Sequence, residues 1–505
     1  MTAPPLRPPR AAAVAVALLL VGIALPPRLW RLDSNPPGLG GDELGNVVPF
    51  LSIVRTGRDL DGRLLPMTFH RITRRPPIYG LLALPVVLVR GRDAVSVRLP
   101  AVALGVAGLL LLWPLGDRLL GLRWVGATAA FVMAATPWHI HFSRMGWEPA
   151  TIIPLLSLAL LLWVRAVEDG RPQAVGLAAG ALGLTVYGYK VFEVLAPLWL
   201  AVLLALYRRR LTPRAAASGV AVFALVMLPY AGTVAADPRM LQWPARIFTF
   251  SDGVNAHTLA TFAQNYLAHL SPGFLFVSGD PNLRHHAPGT GQLFWWMLPL
   301  VVLGFVELGW RRDLPHRGLL AAWLLIFPLG GALTNDGVPH ATRTLLGLPA
   351  LCLVIGLGIL RVASFVRILR WQFAGGALVA AVLAVAAAAE GVRFAKAEYL
   401  HYPQVAGWWF DYGFREVFQT VWAARDRYDR VCLWMVDWFH EPTFRAFYLE
   451  DFPLPVTIDS AAPACGQPGA LVAVAARALP PGPVLERTVR DPAGNPLFLV
   501  YGIPR

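Results

Sequence analysis

The sequence has few cysteines and few charged residues, and its acidic side chains are outnumbered by basic ones. Three cysteines occur in 505 residues, and 30 Asp and Glu residues stand against 44 Lys and Arg residues. No CxxC or HExxH pattern occurs, so the zinc and redox sites that those spacings build are not indicated. Only 15% of the residues are charged while 56% are hydrophobic, a balance that excludes an ordinary soluble domain.

The positive charge is spread along the chain rather than collected in one tail. The formal net charge of +14 comes from short basic clusters that lie between long hydrophobic runs. Such spacing is typical of the cytoplasmic loops of membrane proteins and argues against nucleic acid as a partner. Neither a Gly-rich phosphate loop nor an internal repeat is visible, so a nucleotide fold and a solenoid are not indicated.

Long hydrophobic runs dominate the first 390 residues. Each is close to the ~20 residues that a helix needs to cross a bilayer, so the sequence predicts an all-α polytopic membrane protein with about eleven transmembrane helices. The first run lacks a small-residue cleavage site behind it, which favours a retained anchor over a signal peptide. The approximate spans are 11–29, 99–116, 124–138, 150–165, 173–188, 191–207, 215–234, 291–310, 318–334, 343–361 and 371–390.

Arginine-bearing loops indicate the orientation of these spans. When the spans are threaded alternately, every loop on one side carries arginine, as at Arg118, Arg165, Arg209, Arg311 and Arg361. By the positive-inside rule that side is cytoplasmic, together with the N-terminus. The long segments 31–98 and 235–290 then lie outside, and a shorter apolar run at 78–90 is predicted to lie along the membrane interface.

Polar side chains of the membrane half gather in the predicted outer loops. These loops begin with the acidic pair Asp42-Glu43, which stands between glycines. A charged side chain beside a membrane costs free energy unless it has a partner of opposite charge or a hydrogen-bond partner. The collection of these side chains on one face therefore indicates a polar site. Besides the acidic pair, the candidate site residues are His139, His141, Arg144, Tyr187, Lys190, Arg284, His285 and Arg343.

The acidic pair has two interpretations. Asp42 is a suitable N-cap for a helix over about 43–56, which would be a structural role. Alternatively, one carboxylate is a general base that deprotonates an acceptor hydroxyl, while the other orients that hydroxyl or holds a cation. Composition and spacing alone leave both roles open.

The basic candidates also have alternatives. Arginine matches phosphate with two parallel hydrogen bonds, so Arg144 is a candidate phosphate ligand. Lys190 either holds a lipid phosphate or extends its ammonium group to the interface. Arg343 opens a span and needs an anionic partner, for which a phosphate is one candidate. His139 and His141 are metal ligands only if they lie on an extended segment with a third partner, and otherwise are interfacial polar residues.

Composition changes after residue 390, so we predict a membrane domain at 1–390 and an outer domain at 391–505. Cys432 and Cys465 can pair there if that domain lies outside the cytoplasm, although their spacing does not show it. Turn and strand signals predict a small α/β domain. Its predicted elements are a helix at Phe414–Arg425, strands at Arg430–Val436 and Ala470–Ala475, and a hairpin of Val484–Arg490 with Pro496–Tyr501.

An ordered set of motifs resembles bacterial family-39 glycosyltransferases, which are relatives of protein O-mannosyltransferases and of the aminoarabinose transferases that act on lipid A. The likeness covers most of the chain and weakens after residue 400. Leu44 departs from the pattern, since that family is expected to have a small residue there. The motifs are Pro36-Pro37-Gly38, Asp42-Glu43, Thr56-Gly57-Arg58-Asp59, Pro76-Pro77-Ile78-Tyr79, Ser96-Val97-Arg98-Leu99-Pro100, Thr136–Arg144, Asn265–Phe276, Gly279-Asp280 and Arg284-His285.

This resemblance implies a GT-C fold and the inverting transfer of a sugar from a polyprenyl-phosphate donor on the periplasmic side of a bacterial inner membrane. It implies that Asp42 carries the catalytic carboxylate, with Glu43 beside it. The acceptor stays open among glycans, lipids and proteins, and a divalent metal is a candidate cofactor because metal use differs among the relatives. Lys190, Arg284 and Arg343 are then expected to stabilise the charge of the leaving phosphate.

Two other functions stay open at this point. A transporter or flippase of a lipid-linked sugar would have acidic or broken helices near mid-membrane and often inverted repeats, neither of which is clear here. A non-catalytic sensor or scaffold would leave the outer polar residues apart in space. A distance above ~15 Å from Asp42 to Lys190, Arg284 and Arg343 would favour the scaffold, since reacting groups must approach contact distance.

Overall fold

The computed structural model describes residues 9–64, 75–238, 246–368, 373–434, 441–449, 452–457, 463–475 and 483–505. In this part of the chain the helices follow the hydrophobic runs. Helices α1 to α10 are Arg10–Leu29, Gly41–Thr56, Pro77–Arg90, Ala94–Leu120, Val125–Ala135, Pro137–Phe142, Ile152–Asp169, Pro172–Leu184, Phe192–Tyr207 and Pro213–Ala236. Helices α11 to α17 are Ala256–Ala268, Leu298–Trp310, Arg317–Ile326, Leu329–Ala332, Ala341–Thr344, Leu348–Ile368 and Phe373–Lys396.

Local signals place the ends of these helices. Proline is the first residue of α3, α6, α8 and α10, where its missing N–H costs no helical hydrogen bond. Gly57 and Gly170 end α2 and α7 in the left-handed conformation that glycine adopts without strain. At the start of α4, the Asp93 side chain accepts a hydrogen bond from the Ser96 N–H.

The predicted all-α membrane architecture is confirmed, because helices cover most of each predicted span within the described residues. Several helices are shorter than the predicted span. For example, α5 ends at Ala135, since Pro137 opens the separate helix α6. The predicted interface run is the continuous helix α3. Five described stretches are long and apolar enough to cross a membrane, namely Arg10–Leu29, Ala94–Leu120, Glu148–Asp169, Pro213–Ala236 and Ala341–Ser364.

The connecting loops separate onto two faces of the helix bundle. On one face Arg118 forms an ion pair with Glu168, and the Tyr207 hydroxyl lies 2.7 Å from His316 Nδ1. All of these residues lie in or beside loops that the sequence predicts to be cytoplasmic. At the start of α2, loops that the sequence predicts to be outside contact one another, since Asn46 bonds to Glu148 and Asp42 bonds to Arg284. These two sets of contacts agree with the alternating threading.

The C-terminal part contains a five-stranded sheet in the order β2-β1-β3-β5-β4. In it, β1 pairs in parallel with β2 and β3, whereas β5 is antiparallel to β3 and β4. The predicted strands are found, although residues 435–436 lie outside the described chain. The strands β1 to β5 are Arg430–Trp434, Val456–Thr457, Ala470–Ala475, Val484–Arg490 and Pro496–Gly502.

Each face of this sheet is covered. Helices α18 to α20 are Tyr402–Val405, Phe414–Ala424 and Glu441–Tyr448. The amphipathic α19 packs Val417 and Val421 in one apolar cluster with Val431 of β1. On the other face Cys432 and Cys465 form a disulfide with their Cα atoms 5.9 Å apart, which establishes the pairing that the sequence left open.

Helix α17 connects the membrane part to the sheet. It continues through the composition change at residue 390 and ends at Lys396, so the predicted domain boundary falls inside a helix. A short helical segment, Ala397–His401, follows directly. The chain then returns beside α2, because Asp411 accepts a hydrogen bond from the Gly41 N–H. The segment 397–411 therefore brings polar residues from the C-terminal part to the acidic pair.

Candidate active site

The acidic pair lies in the first turn of α2. The helix begins at Gly41 and its N-cap is Gly40, so the prediction that Asp42 caps it is wrong. Glu43 has the capping role instead, because its Oε2 accepts a hydrogen bond from the Gly40 N–H at 3.1 Å. Asp42 keeps its side chain 25% exposed. The two carboxylates therefore have different surroundings from the first turn onward.

Two arginines hold the Asp42 carboxylate. Its Oδ1 accepts from Arg75 Nη2 at 2.6 Å, and its Oδ2 accepts from Arg284 Nη1 at 2.8 Å. Arg75, which lies just before α3, also lies 3.6 Å from the Glu148 carboxylate. The direction of the Asp42 carboxylate is thus fixed by guanidinium groups from two separate outer loops.

Glu43 is buried beneath Asp42 and is saturated with hydrogen bonds. Its Oε1 accepts from Arg98 Nε and from the Gly146 N–H, each at 2.8 Å. Its Oε2 accepts from Arg98 Nη2 at 2.9 Å as well as from Gly40. A carboxylate has about four lone-pair positions, and all four are occupied. These surroundings are those of a structural carboxylate, and they favour that role over the catalytic one expected for Glu43.

A cleft separates the start of α2 from the segment at 409–411. It measures about 320 Å³ including its open mouth. The cleft is lined by Gly40, Gly41, Asp42, Glu43, Met145, Trp147, Arg284, Trp409, Phe410 and Asp411.

Arg284 is fixed at this mouth by contacts on both its side chain and its backbone. Its Nε donates to the Trp409 carbonyl at 3.1 Å, and its guanidinium lies 5.6 Å from the centroid of the Trp409 ring. The Arg284 N–H donates to Asn282 Oδ1 at 2.9 Å. The Arg284 carbonyl lies 3.0 Å from Nε2 of His141. The cation is thereby aimed at Asp42 by three parts of the chain.

The two predicted metal histidines are used elsewhere in the fold. They lie on the helix α6, not on the extended segment that metal ligation at this spacing requires. His139 Nδ1 is 2.6 Å from Arg28 Nη2, so it accepts from a guanidinium. His141 Nδ1 is 3.0 Å from Glu398 Oε2 and its Nε2 faces the Arg284 carbonyl. The structure therefore favours the other interpretation of His139 and His141, in which they are polar residues of the fold.

A different cluster has the composition of a metal site. The candidate ligand atoms of Asp280, His285 and His340 all lie within 4.8 Å of one another. His285 Nδ1 is 2.7 Å from Asp280 Oδ2, and His340 Nδ1 is buried without a hydrogen-bond partner. One carboxylate and two imidazoles are a donor set that suits zinc. The residues present therefore fit a divalent metal, with the orphaned nitrogen of His340 as the clearest sign.

Arg144 has a structural position that differs from its predicted role. Its two terminal nitrogens donate to four backbone carbonyl groups at 2.7–3.1 Å, and its guanidinium lies over the Tyr399 ring. With 0% of its surface exposed, it has no face that a lipid phosphate could reach. Arg144 therefore organises the loop after α1, and these contacts favour that role over the expected binding of phosphate. The four carbonyl groups belong to Pro27, Arg28, Trp30 and Asn35.

Arg343 and Lys190 lie close enough for their charges to interact. Arg343 Nη2 lies 3.1 Å from Asp336 Oδ2, so an anionic partner for Arg343 is already present in its own loop. Burial, followed by the charge of Arg343, lowers the pKa of Lys190, while Glu148 and Asp42 act in the opposite direction. Within the described residues the Lys190 ammonium has no hydrogen-bond or ion-pair partner. An external anion would therefore supply what Lys190 lacks.

Tyr187 is not part of this group. Its hydroxyl donates to the Val226 carbonyl at 2.7 Å and accepts from the Tyr230 N–H at 3.2 Å. Val226 and Tyr230 are four residues apart in α10, so their carbonyl and N–H would normally bond each other, and the Tyr187 hydroxyl bridges them beside Pro229. These contacts favour a structural role for Tyr187 over the expected substrate contact.

Two residues beside the acidic pair were missed by the sequence reasoning. Arg75 donates to Asp42 Oδ1 at 2.6 Å, and Asp411 lines the cleft. Asp411 Oδ2 accepts from the Gly41 N–H at 2.9 Å, and burial raises its pKa to about 6. Asp411 carried no local signal, because it reaches the start of α2 from a distant part of the chain.

Comparison with known proteins identifies the fold. Residues 74–232 match the family model of dolichyl-phosphate-mannose-protein mannosyltransferases. ArnT from Cupriavidus metallidurans is similar in its apo state with a TM-score of 0.56 at 14% identity, covering 97% of this chain and 98% of that one. ArnT bound to undecaprenyl phosphate gives a TM-score of 0.54 at 14% identity, covering 97% of each chain.

A third similar structure is an oligosaccharyltransferase of Archaeoglobus fulgidus tethered with an acceptor peptide. It has a TM-score of 0.52 at 13% identity and covers 90% of this chain and 64% of that one. No curated protein matches the sequence. The long apolar helices define a multi-pass membrane protein. Its fold is similar to those of ArnT and of the archaeal oligosaccharyltransferase, and residues 74–232 match a mannosyltransferase family model, in agreement with the resemblance found in the sequence.

Proposed function

We propose that this chain transfers a sugar from a polyprenyl-phosphate donor to an acceptor hydroxyl, with inversion at the anomeric carbon. The observation that carries this proposal is the position of Asp42, which faces a cleft between two arginines in a chain of GT-C fold. The undecaprenyl phosphate bound to ArnT supports a polyprenyl lipid as donor. The acceptor is a glycan, a lipid or a protein.

The proposed membrane is the bacterial inner membrane, with the N-terminus in the cytoplasm and the cleft on the periplasmic side. The arginine-rich loops grouped on the opposite face support this orientation through the positive-inside rule. The disulfide between Cys432 and Cys465 also supports it, because disulfides persist outside the reducing cytoplasm. Polyprenyl chains would then lie among the apolar helices while the phosphate reaches the cleft.

In the proposed reaction Asp42 is the general base. The acceptor oxygen forms a bond to the anomeric carbon as the bond from that carbon to the phosphate oxygen breaks. Asp42 takes the proton of the acceptor hydroxyl, and the polyprenyl phosphate leaves with the bonding electron pair. A positioned base of this kind typically contributes about 10²- to 10⁴-fold to the rate.

In the proposed reaction Arg284 can bind either of two anions, the Asp42 carboxylate or the donor phosphate. Without donor it holds Oδ2 of Asp42 at 2.8 Å and narrows the mouth of the cleft. A donor phosphate competes for the same guanidinium, since arginine binds phosphate and carboxylate with the same geometry. Donor binding would thereby move Arg284 from Asp42 to the phosphate, open the cleft and let Oδ2 accept the proton. Lys190 would be a second cation for that phosphate.

A metal ion would add to this positive charge without replacing Asp42 as base. Asp280, His285 and His340 would hold it, and it would supply a Lewis acid close to the Arg284 loop when bound. His285 directly follows Arg284 in the chain. Two of the three metal ligands, Asp280 and His285, therefore belong to the loop that carries Arg284, so a bound metal would order Arg284 for binding.

The proposal is tested by reconstituting the purified full chain in nanodiscs. The donors are undecaprenyl-phosphate-linked mannose, glucose, galactose and arabinose, and the measurement is release of undecaprenyl phosphate with a membrane-lipid extract as acceptor source. At least one donor is expected to turn over, and Asp42→Asn should lower that rate about 10²- to 10⁴-fold.

Asp33→Asn is the matched control, because Asp33 is an exposed carboxylate in the same segment before α2. It should keep the rate of the unchanged protein. If Asp42→Asn turns over donor at the rate of the unchanged protein, Asp42 is not the general base. Release of undecaprenyl phosphate from none of the donors by folded protein would count against the proposed reaction itself.

A further inference from the structure

Asp411 stands in an unusual backbone conformation beside the acidic pair. Its φ is +50°, in the left-handed region that residues other than glycine seldom adopt. Asp and Asn are the side chains best tolerated there. The residue directly follows Phe410 and precedes Tyr412, two aromatic residues that pack in the fold. This geometry turns the Asp411 carboxyl toward the start of α2.

One oxygen of that carboxyl has a structural partner. Oδ2 accepts from the Gly41 N–H at 2.9 Å, one residue before Asp42. This hydrogen bond needs only an acceptor, which an amide oxygen of Asn supplies equally well. The start of α2 is in any case also capped by Glu43. Helix capping therefore accounts for an oxygen at position 411 but not for a charge.

The charge has an electrostatic cost in this position. Burial, together with the carboxylates of Asp42 and Glu43, raises the pKa of Asp411 to about 6, while the hydrogen bond from Gly41 and the charge of Arg284 oppose the rise. Burial raises the pKa of Tyr448 of α20 as well, and the charge of the Asp411 carboxyl adds to that rise. A third acidic group among these neighbours destabilises the empty cleft. A ligand whose hydroxyl groups donate hydrogen bonds to the Asp411 carboxyl would explain why an acidic residue stands there.

The walls of the cleft define what that ligand is. Asp411 lines it together with Asp42, and the rings of Trp147, Trp409 and Phe410 supply the rest of the surface. Aromatic rings offer apolar faces, and carboxylates accept hydrogen bonds from hydroxyl groups. This combination suits a ring that has apolar faces and a hydroxyl-bearing edge, which is the chemistry of a neutral sugar.

We propose that Asp411 binds hydroxyl groups of the sugar that is being transferred, and so contributes to the choice of sugar. This inference rests on the proposed function of the cleft. The donor sugar is favoured over the acceptor because Arg284, the expected phosphate ligand, touches Trp409 of the same segment. A sugar joined to that phosphate would lie within reach of residue 411.

The test separates affinity for the sugar from affinity for the lipid phosphate. The full chain in nanodiscs is titrated with undecaprenyl phosphate and with undecaprenyl-phosphate-linked mannose, glucose, galactose and arabinose. Tryptophan fluorescence reports binding, since Trp147 and Trp409 line the cleft. The unchanged protein should bind at least one sugar-bearing lipid more tightly than undecaprenyl phosphate.

Asp411→Asn is the informative variant because it keeps the left-handed backbone and the acceptor for Gly41. We call the affinity for the sugar-bearing lipid divided by the affinity for undecaprenyl phosphate the sugar advantage. Asp411→Asn should lower this ratio about 10-fold, because a charged acceptor is lost. The affinity for undecaprenyl phosphate itself should stay within about 2-fold of that of the unchanged protein. Asp411→Ala should lower the advantage too, and should also lower the melting temperature because the Gly41 N–H loses its partner.

The dependence on pH gives a readout that a purely structural role would not change. The pKa of Asp411 is raised to about 6, so the carboxylate form is present above that pH and is lost as the pH falls through it. The sugar advantage of the unchanged protein should therefore shrink below about pH 6. In Asp411→Asn the advantage should lack this step, because residue 411 no longer titrates.

Three results would overturn the inference. The first is an unchanged sugar advantage in Asp411→Asn at every pH. The second is the absence of any sugar advantage in unchanged protein that binds undecaprenyl phosphate. The third is an effect of Asp411→Asn on the KM of the acceptor alone, which would assign residue 411 to the acceptor. By contrast, unchanged protein that neither binds undecaprenyl phosphate nor transfers sugar would overturn the proposed function first.

Discussion

The cleft around Asp42 and the layer beneath it are both built from charged side chains, yet they are paired in different ways. In the cleft, Asp42 and Arg284 are paired with each other and their side chains are 25% and 26% exposed. In the layer beneath, Arg98 and Glu43 form an ion pair whose side chains are 0% and 2% exposed. Neighbouring acids at positions 42 and 43 thus belong to different regions.

The partners in the two regions explain the difference. Arg98 donates to the carbonyl groups of Leu32, Pro36 and Gly38 in addition to Glu43, and Arg144 donates only to carbonyl groups among its hydrogen bonds in the described chain. A backbone carbonyl cannot leave without unfolding its loop. Side-chain partners such as those of Asp42 can be exchanged for a substrate. Charge in the buried layer shapes the loop after α1, whereas charge in the cleft is available for chemistry.

The largest expected effect tests the buried layer. Glu43→Gln leaves the Arg98 guanidinium without its carboxylate in a buried position, and breaking such a pair typically costs about 3–5 kcal/mol. The free energy of unfolding should fall by that amount in a chemical denaturation series. Asp42→Asn should change it far less, because Asp42 is partly exposed.

Glu416→Gln provides the matched control for that measurement. Glu416 forms an ion pair with Arg487 at 3.1 Å, but the two side chains are 37% and 55% exposed. Loss of an exposed pair costs about 0–1 kcal/mol. If Glu43→Gln proves as stable as Glu416→Gln, the distinction between the two regions has no energetic basis.

The next effect tests the cleft. Arg284→Gln removes the cation that the proposal assigns to the donor phosphate, and affinity for undecaprenyl phosphate should fall about 10- to 100-fold. The melting temperature should change little, since Arg284 is partly exposed. Arg415→Gln, at an exposed arginine of α19, should keep the affinity. If Arg284→Gln binds undecaprenyl phosphate with normal affinity, the Arg284 guanidinium does not bind the phosphate and its role is structural.

The smallest expected effect concerns the metal cluster, which lies next to the cleft. Purified protein exposed to zinc and then desalted should retain about one ion. His340→Ala and Asp280→Asn should each lose most of that zinc, as measured by elemental analysis. His257→Ala, at an exposed histidine, should keep it. Equal zinc content in all four proteins would show that the cluster binds no metal.

Local sequence patterns were sufficient for much of the fold. Apolar runs predicted the helices, and the loop arginines predicted how the loops group, because both properties depend on neighbouring residues. The amphipathic α19 and the hairpin of β4 and β5 follow from local periodicity in the same way. The contact between Asp42 and Arg284 could also have been predicted, since both residues lie in motifs of the family resemblance.

The remaining parts of the site depend on long-range contacts that local patterns do not contain. Asp411 reaches Gly41 from 370 positions away, and Glu398 reaches His141 from 257 positions away. The contrast between Asp42 and Glu43 depends on Arg98, which is 55 positions from Glu43. Two adjacent acids look equivalent in sequence because their partners are brought to them only by the folded bundle.

The central claim is that Asp42 acts in the chemical step and shares Arg284 with the donor. The most direct test is to measure donor affinity and turnover together for Asp42→Asn in nanodiscs. The variant should bind the undecaprenyl-phosphate-linked sugar at least as tightly as the unchanged protein, because Arg284 no longer pairs with a carboxylate. Its turnover should be about 10²- to 10⁴-fold lower. Turnover at the normal rate, or loss of donor affinity that alone accounts for a lower rate, would contradict the claim.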